Sequence, residues 1–271
     1  MKLAILSDVH ANLEALQVTL RQVSSQAVDG ILHLGDLVGY NSNPAECIAL
    51  LRQFGTSCIA GNHDRATCGQ ITTDGFSDAG ARAVAWTRRQ LSADDLHFLA
   101  GLPLQLSVQQ HLVAVHGALH SDTDCELVRL DSDEKRWLSL QALVAHASGA
   151  RICAFGHTHR LGIFELQDGR VQTQMCEKVF LREDAYYLFN PGTVGQPLIA
   201  DRRATYLILD SARGIVTIHR AEYDASIPFG KSRRAGLLPR FLSLPLPQAV
   251  KRAGHRLGMR PVMNAIKWMG R

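Results

Sequence analysis

The sequence lacks any long apolar run. None of its 271 residues belong to a stretch approaching the roughly 18–20 apolar residues that a helix needs to cross a bilayer. The run Leu3 to Leu6 after Met1-Lys2 breaks at Ser7-Asp8, too soon for the apolar centre of a secretory signal. Closely paired cysteines are also missing. The six cysteines, at 47, 58, 68, 125, 153 and 176, include no Cys-x-x-Cys, so neither a zinc finger nor a disulfide-stapled fold is indicated. These features fit a reduced, cytoplasmic protein. Aromatic residues make up only 6% and charged residues 20%, against 46% hydrophobic, which is globular rather than disordered composition.

Acid is absent from residues 227–271, which hold ten Lys and Arg. The remainder, with 19 basic and 25 acidic residues, carries −6, although the whole chain is +4. A mildly acidic body excludes a uniformly basic nucleic-acid binder. The chain therefore divides into a body, 1–224, and a basic amphipathic extension, 225–271. In the extension, Val250, Ala253 and Leu257 share a helical face bordered by Lys251, Arg252 and Arg256. Beyond Pro261, a second short amphipathic piece carries Val262, Ile266, Trp268 and Met269. Residues 241–271 suit contact with an anionic membrane or another polyanion, which would make the protein peripheral at the membrane. Packing on the body, or on a second copy in a homo-oligomer, is the plainer use.

The body alternates short apolar strands with amphipathic helices. Strands are predicted at Leu3–Leu6, Ile31–Leu34, Ser57–Ala60, 104–108, 111–116 and Arg151–Phe155. Helices are predicted over 12–25, from Pro44 through Arg52, as a pair within 77–100, and over 133–147; residues 119–132 read as a loop. Short strands then follow at 162–166, 170–174, 186–189, 204–210 and 215–220, with a hairpin turn at Asp168-Gly169. This order predicts an α/β fold of layered sheets with helices outside.

Five successive strands end in metal-ligand residue types. They deliver Asp8 and His10, then Asp36, then Asn62-His63-Asp64, then His116, and finally His157 with His159. In α/β sheets such ends converge on one place. Carboxylates, an amide oxygen and several imidazoles suit Mn, Fe, Co, Ni or Zn better than Mg or Ca, which prefer all-oxygen shells. With Asn62 alone taken from the third cluster, seven ligands exceed one four-coordinate site and suit two divalent ions sharing a carboxylate.

The ordered motifs Asp8-Val9-His10, Gly35-Asp36, Gly61-Asn62-His63-Asp64, Val115-His116-Gly117 and Gly156-His157-Thr158-His159 resemble those of the calcineurin-like metallophosphoesterases. The sequence is most similar to a small prokaryotic, phosphodiesterase-like branch with Gly-Asp-x-Val-Gly-Tyr, here 35–40, and Asn-Pro-Gly-Thr-Val-Gly-Gln-Pro, here 190–197. One position departs from the broader pattern: many relatives have a carboxylate where this chain has Gly39.

The resemblance, which covers roughly residues 1–224, implies a four-layer α-β-β-α sandwich of two mixed sheets; the basic helical C-terminal extension is read from the tail's own pattern. It implies one ion on Asp8, His10 and His159, another on Asn62, His116 and His157, and Asp36 between them. The implied reaction is hydrolysis of a small phosphorylated substrate, a phosphodiester or nucleotide-type ester, by a metal-bridging hydroxide. Asn62, His63 and Asp64 form the implied catalytic group: His63 stabilises the transition state or protonates the leaving oxygen, and Asp64 holds the His63 ring. Phosphomonoesters, including phosphoproteins, and dinucleoside polyphosphates are the alternative substrates. A non-catalytic scaffold of the same fold is the alternative of another class, although such scaffolds typically lose the histidine equivalent to His63.

Other residues admit two readings. Asn12 is a phosphate contact or a helix cap. Tyr40 and Asn41 line a substrate pocket or form a turn. His120 either reaches phosphate or is structural. Asn190, Gly192, Thr193 and Gly195 form a phosphate-facing turn or a glycine-rich connection between strands. His33 reads as a core histidine, and His97, His111 and His146 as structural or solvated.

Overall fold

The computed structural model describes residues 1–238 except 110, 122 and 175. The readings made for 241–271 lie outside the described residues.

The chain opens with β1 (Lys2–Leu6), α1 (Leu13–Ser24), β2 (Gly30–His33), α2 (Pro44–Gln53) and β3 (Ser57–Cys58). Three helices follow: α3 (Asn62–Cys68), α4 (Asp78–Gln90) and α5 (Ala93–Ala100). Next come β4 (Gln105–Val108), β5 (Leu112–Val115), a single 3-10 turn at Cys125–Leu127, and α6 (Asp133–Val144). The last part holds β6 (Ile152–Ala154), β7 (Gly162–Gln167), β8 (Arg170–Gln174), β9 (Lys178–Phe180), β10 (Tyr186–Asn190), β11 (Ala204–Asp210), β12 (Ile215–Ala221) and α7 (Ser226–Arg234). Local signals explain many boundaries. Pro44 opens α2. Ser92 and Asp95 form a capping box on α5, and Ser132 caps α6. Asp168 and Gly169 both have positive φ, as a two-residue hairpin turn requires.

Two six-stranded mixed sheets result, ordered β3-β2-β1-β11-β12-β9 and β4-β5-β6-β10-β7-β8. The triplets β3-β2-β1 and β5-β6-β10 are parallel, and the flanking pairs are antiparallel. Side chains alternate between faces along each strand. Leu3 and Ile5 therefore join Leu112, Ala114, Tyr187 and Phe189 in the core between the sheets. Ala4 and Leu6 face outward against Leu16 and Leu20 of α1 and Ile48 and Leu51 of α2. On the opposite outer face, Val113 and Val115 meet Leu140 and Leu143 of α6. The protein is thus the four-layer α-β-β-α sandwich. Burying each such Leu or Ile contributes roughly 1.5–3 kcal/mol.

Three elements differ from expectation. The third strand stops at Cys58 rather than Ala60, and Asn62-His63-Asp64 form the first turn of α3, a helix the sequence pattern does not predict. Strand β9 has no sequence signature because it is a three-residue edge strand with one buried side chain. Helix α7 lies just past the expected boundary at 224/225 and docks on the body. Its Lys231 Nζ donates to Glu14 Oε1 at 2.5 Å and to Asn43 Oδ1 at 3.1 Å, and Leu237 beyond it is buried.

Candidate metal centre

The parallel triplets bring the C-terminal ends of β1, β2, β3, β5 and β6 to one edge of the sandwich. The loops there are laced by backbone bonds. Asp8 N–H donates to Gly35 O at 3.1 Å, His10 N–H to Asp36 O at 3.0 Å, and Gly156 N–H to His116 O at 2.8 Å. The turns are tight enough to force unusual backbone. Asp8, His10, Asp36, His157 and His159 all have φ between 48° and 61°, in the left-handed region that costs non-glycine residues about 1–2 kcal/mol each.

The donor atoms fall into overlapping groups, each with its atoms within 4.8 Å of one another: Asp8, His10 and His159; Asp36, His116 and His157; and His10, Asp36 and His63. In the first group, Asp8 Oδ1 lies 3.2 Å from His159 Nε2 and 3.6 Å from His10 Nε2. In the second, His116 Nε2 lies 3.3 Å from Asp36 Oδ2 and 3.2 Å from Asn62 Oδ1. Asp36 Oδ2 also lies 3.5 Å from His10 Nε2, so one oxygen faces both groups. Its other oxygen, Oδ1, accepts the His63 backbone N–H at 2.8 Å.

Backbone carbonyls set the imidazole tautomers. The Nδ1 of His10 contacts Val38 O at 3.1 Å, that of His116 contacts Leu34 O at 2.6 Å, and that of His159 contacts Gln196 O at 2.7 Å. A carbonyl only accepts, so each Nδ1 carries hydrogen, and Nε2 is the nitrogen left to offer a lone pair when the ring is neutral. His10 and His159 then face each other Nε2 to Nε2 at 3.0 Å. Asp8 Oδ1 is buried with no hydrogen-bond partner among the described residues. Converging lone pairs of this kind call for a cation. Two ligand atoms each about 2.1 Å from one ion stand about 3–3.5 Å apart, close to the observed spacings. The residues fit divalent metal ions.

The electrostatics agree. Burial opposes ionising Asp8 and Asp36, but His159 beside Asp8 and His116 beside Asp36 hold both carboxylates well below the usual range. Burial likewise opposes protonating His116, yet Asp36 pushes that ring up to about 10. Burial pulls His157 and His63 down to about 3.

His63 sits among aromatic rings, with centroids 4.6 Å from Tyr40, 4.9 Å from His10 and 5.0 Å from Phe76. The Tyr40 hydroxyl is hydrogen-bonded to Ser77. Asp64 does not orient the His63 ring as expected, because its oxygens are committed elsewhere. They accept backbone N–H groups from Asp36 at 2.8 Å, Gly61 at 3.0 Å and Val38 at 3.2 Å. His63 Nδ1 is buried and unpartnered among the described residues. Asp64 is instead a clamp that ties the Asp36 loop to the start of α3. Burial, reinforced by the Asp36 charge, pushes it up to about 7.

Asn12 is placed as the cap of α1. Its Oδ1 accepts Ala15 N–H at 3.1 Å, while Nδ2 donates to Gly195 O at 2.9 Å. Asn41 bonds the His10 carbonyl through Nδ2 at 3.0 Å. His120 Nδ1 contacts Ser139 Oγ of α6 at 2.8 Å. His33 is fully buried, its Nδ1 accepting Gly35 N–H at 3.3 Å. The segment from Asn190 crosses between the sheets. Asn190 Nδ2 donates to Gly156 O at 3.0 Å, and Thr193 Oγ1 to Asp8 O at 2.8 Å. Gly195 lies so near Val9 O that a Cβ would meet it at 1.8 Å. Sequence reasoning missed the carbonyls of Leu34, Val38 and Gln196, since any residue supplies a carbonyl. It also missed the ion pair between Arg65 of α3 and the fully buried Glu126.

Comparisons with known proteins agree with this geometry. The family model for the calcineurin-like phosphoesterase superfamily domain matches residues 1–214. An uncharacterized protein of Methanocaldococcus jannaschii is 31% identical over 232 residues, covering 84% of this chain and 90% of the relative. A crystal structure of a metallophosphoesterase from Sphaerobacter thermophilus superposes with a TM-score of 0.73 at 32% identity, covering 88% of this chain and 95% of the other. A hypothetical protein from Pyrococcus horikoshii OT3 shares the fold, with a TM-score of 0.71 at 16% identity over 88% of this chain and 95% of its own. The chain belongs to the calcineurin-like phosphoesterase superfamily.

Proposed function

We propose that this member of the superfamily, a metal-dependent phosphoric ester hydrolase, holds two divalent ions and cleaves a phosphodiester or nucleotide-type ester. The observation that carries the reading is Asp36. One of its oxygens is spent on the His63 backbone, while the other stands 3.5 Å from His10 Nε2 and 3.3 Å from His116 Nε2. Asp8, His10 and His159 would hold one ion, Asn62, His116 and His157 the other, and Asp36 both. When bound, such a pair supplies Lewis acidity toward phosphoryl oxygens and acidifies a water at neutral pH.

The chain's own residues do the rest. The Val38, Leu34 and Gln196 carbonyls hold the rings of His10, His116 and His159 so that Nε2 is the atom aimed into the centre, to bind an ion as it gives up any proton. Buried neutral, His63 has Nδ1 walled off and Nε2 available to a phosphoryl or leaving oxygen. Donation there stabilises the charge that develops as the bond from phosphorus to that oxygen breaks. Tyr40 and Phe76 hold the ring by packing.

The test is hydrolysis of bis(p-nitrophenyl) phosphate by metal-stripped protein reloaded with Mn, Fe, Co, Ni or Zn. Activity should require metal and collapse in His63→Ala. Metal analysis should give two ions per chain, and fewer in Asp36→Ala. A protein that binds ions yet is inert with every metal, on diesters, monoesters and dinucleoside polyphosphates alike, would be a scaffold of the same fold. Six unpaired cysteines support the reading of a reduced, cytoplasmic protein. Among the described residues no helix is long and apolar enough to cross a membrane. Flotation with anionic liposomes, with and without 241–271, tests the peripheral contact, and sedimentation of the same pair tests the homo-oligomer.

A further inference from the structure

The ligands proposed for the second ion come from both sheets. Asn62 opens α3, which follows β3 of the first sheet, whereas His116 and His157 follow β5 and β6 of the second. Asn62 Oδ1 and His116 Nε2 stand 3.2 Å apart across that divide. A binding constellation keeps its affinity only if such spacings are held to within about 0.5 Å.

Asp64 pins the start of α3 to the first sheet's loops through the Asp36 and Gly61 N–H groups. Arg65 reaches the other way. It lies three residues beyond Asn62, so both stand on one face of α3. Its guanidinium pairs with Glu126, in the 3-10 turn Cys125–Leu127 on the segment that follows β5. Among the described residues it is the one ion pair joining α3 to the second sheet's loops. Glu126 is fully buried, and the Arg65 side chain is 20% exposed.

The Glu126 end of this tie is seated on His116. Ala118 N–H donates to Cys125 O at 2.9 Å, which closes the turn back onto the end of β5. The backbone of the turn lies directly on Gly117, where a Cβ would meet Val128 O at 2.6 Å and the Glu126 carbonyl carbon at 3.1 Å. A shift of Glu126 is therefore passed to Gly117 and to His116 before it. A closed circuit runs from Asn62 through Arg65, Glu126, Gly117 and His116 back to Asn62.

The ligands proposed for the first ion have a separate tie. Gly195 N–H and Thr193 Oγ1 donate to Asp8 O at 3.0 and 2.8 Å, and Gln196 O contacts His159 Nδ1 at 2.7 Å. That route does not pass through Arg65 or Glu126. A buried ion pair adds little net stability over apolar side chains of similar volume, whereas the rigid guanidinium fork fixes geometry well.

We propose that Arg65 and Glu126 are positioning residues for the second ion alone, holding Asn62 against His116 across the two sheets. The proposal rests on the two-ion reading above and deepens it.

Titration calorimetry with Mn²⁺ on metal-stripped protein tests it, run well below the melting temperature of each variant. The unmodified protein should bind two ions. With both Arg65→Leu and Glu126→Leu, one ion should bind as before and the other roughly 10–100-fold more weakly, as when groups that support ligands are altered. Glu126→Gln keeps an acceptor without the charge. It should act in the same direction to a smaller degree, and it stands in if the double variant fails to fold. Asn62→Ala identifies the ion: it should weaken the same one, and combining it with the double substitution should be less than additive. Crystal structures of the metal-free unmodified and double-variant proteins give a readout that needs no ion. Asn62 Oδ1 and His116 Nε2 should part by more than about 0.5 Å, while the 3.2 Å between Asp8 Oδ1 and His159 Nε2 is kept. Equal weakening of both ions, or of neither, with only the melting temperature lowered, overturns the proposal and makes the pair purely structural. If the unmodified protein binds at most one ion, the two-ion reading fails, and the crystallographic spacing alone decides whether the pair positions Asn62.

Discussion

Gly39 and His63 are in contact at the one point where neither can yield. A Cβ at Gly39 would lie 2.5 Å from His63 Nδ1 and 3.1 Å from Cγ of the same ring. Gly39 has φ +100°, a conformation that other residues avoid. This is the position where the resemblance leads one to expect a carboxylate, and here the His63 ring fills the space a side chain would take.

Gly39→Ala is expected to strain the loop and push the His63 ring aside. A displacement of about 1 Å at a catalytic group costs about 100-fold in rate. Hydrolysis should fall by roughly that factor while metal content stays unchanged. Steady-state kinetics beside elemental analysis check this, and near-normal kcat would show that the ring tolerates the methyl.

Asp64→Asn keeps one acceptor oxygen and turns the other into a donor that faces backbone N–H groups. The Asp36 loop should loosen against α3. Metal affinity is expected to drop roughly 10–100-fold, as it does when groups supporting ligands are altered. Titration calorimetry with Mn²⁺ measures this; affinity equal to that of the unmodified protein would mean that the clamp does not tension the site.

Much of this was legible in the sequence because strand ends are simple to read. An apolar run that stops at Ser7-Asp8 or Gly156-His157 marks both a buried strand and what it delivers. Nine candidates stand at such ends, the resemblance to a known family singled out the seven proposed ligands among them, and the layered α/β fold followed from the alternation of strands and helices. What stayed hidden depends on three-dimensional contact rather than residue type. The carbonyls of Leu34, Val38 and Gln196 leave no trace in composition. The role of Asp64 was misassigned because proximity in sequence to His63 suggested a partnership, whereas the fold aims its carboxylate at the Asp36 loop 28 residues away. Strand β9 was missed because three residues are too few for an alternation to show.

His33 makes stability fall with acid. Burial pulls it down to about 3 from an ordinary value of 6.5, so the folded chain binds fewer protons than the unfolded chain between those values. Its contribution is intact above about pH 6.5 and declines as pH drops toward 3, by about 1.4 kcal/mol per unit. Thermal melts from pH 7 to 5 should show a shallower decline in His33→Leu than in the unmodified protein. Parallel curves would mean that another group carries the acid sensitivity.

Glu126 is fully buried and pairs with Arg65, whose side chain is 20% exposed. Glu126→Ala would strand the guanidinium, at a cost of about 3 kcal/mol. The melting temperature should fall by roughly 6–12 °C. Replacing both residues by leucine should recover part of that loss, because removing both charges also removes their desolvation. Calorimetric scans of the three proteins check this, and no recovery in the double variant would show that the pair is worth more than apolar packing.

The left-handed backbone at Asp8, His10, Asp36, His157 and His159 has a consequence for how this protein would evolve in the laboratory. At each of those five positions glycine would relax the chain, so a thermal screen run on ion-free protein would reward the loss of the proposed ligands. The same screen run in saturating Mn²⁺ should reverse that pressure, because ligand binding stabilises only the folded form that retains them. Durability and chemistry are in conflict at the same five residues, and the ion decides which of them is kept.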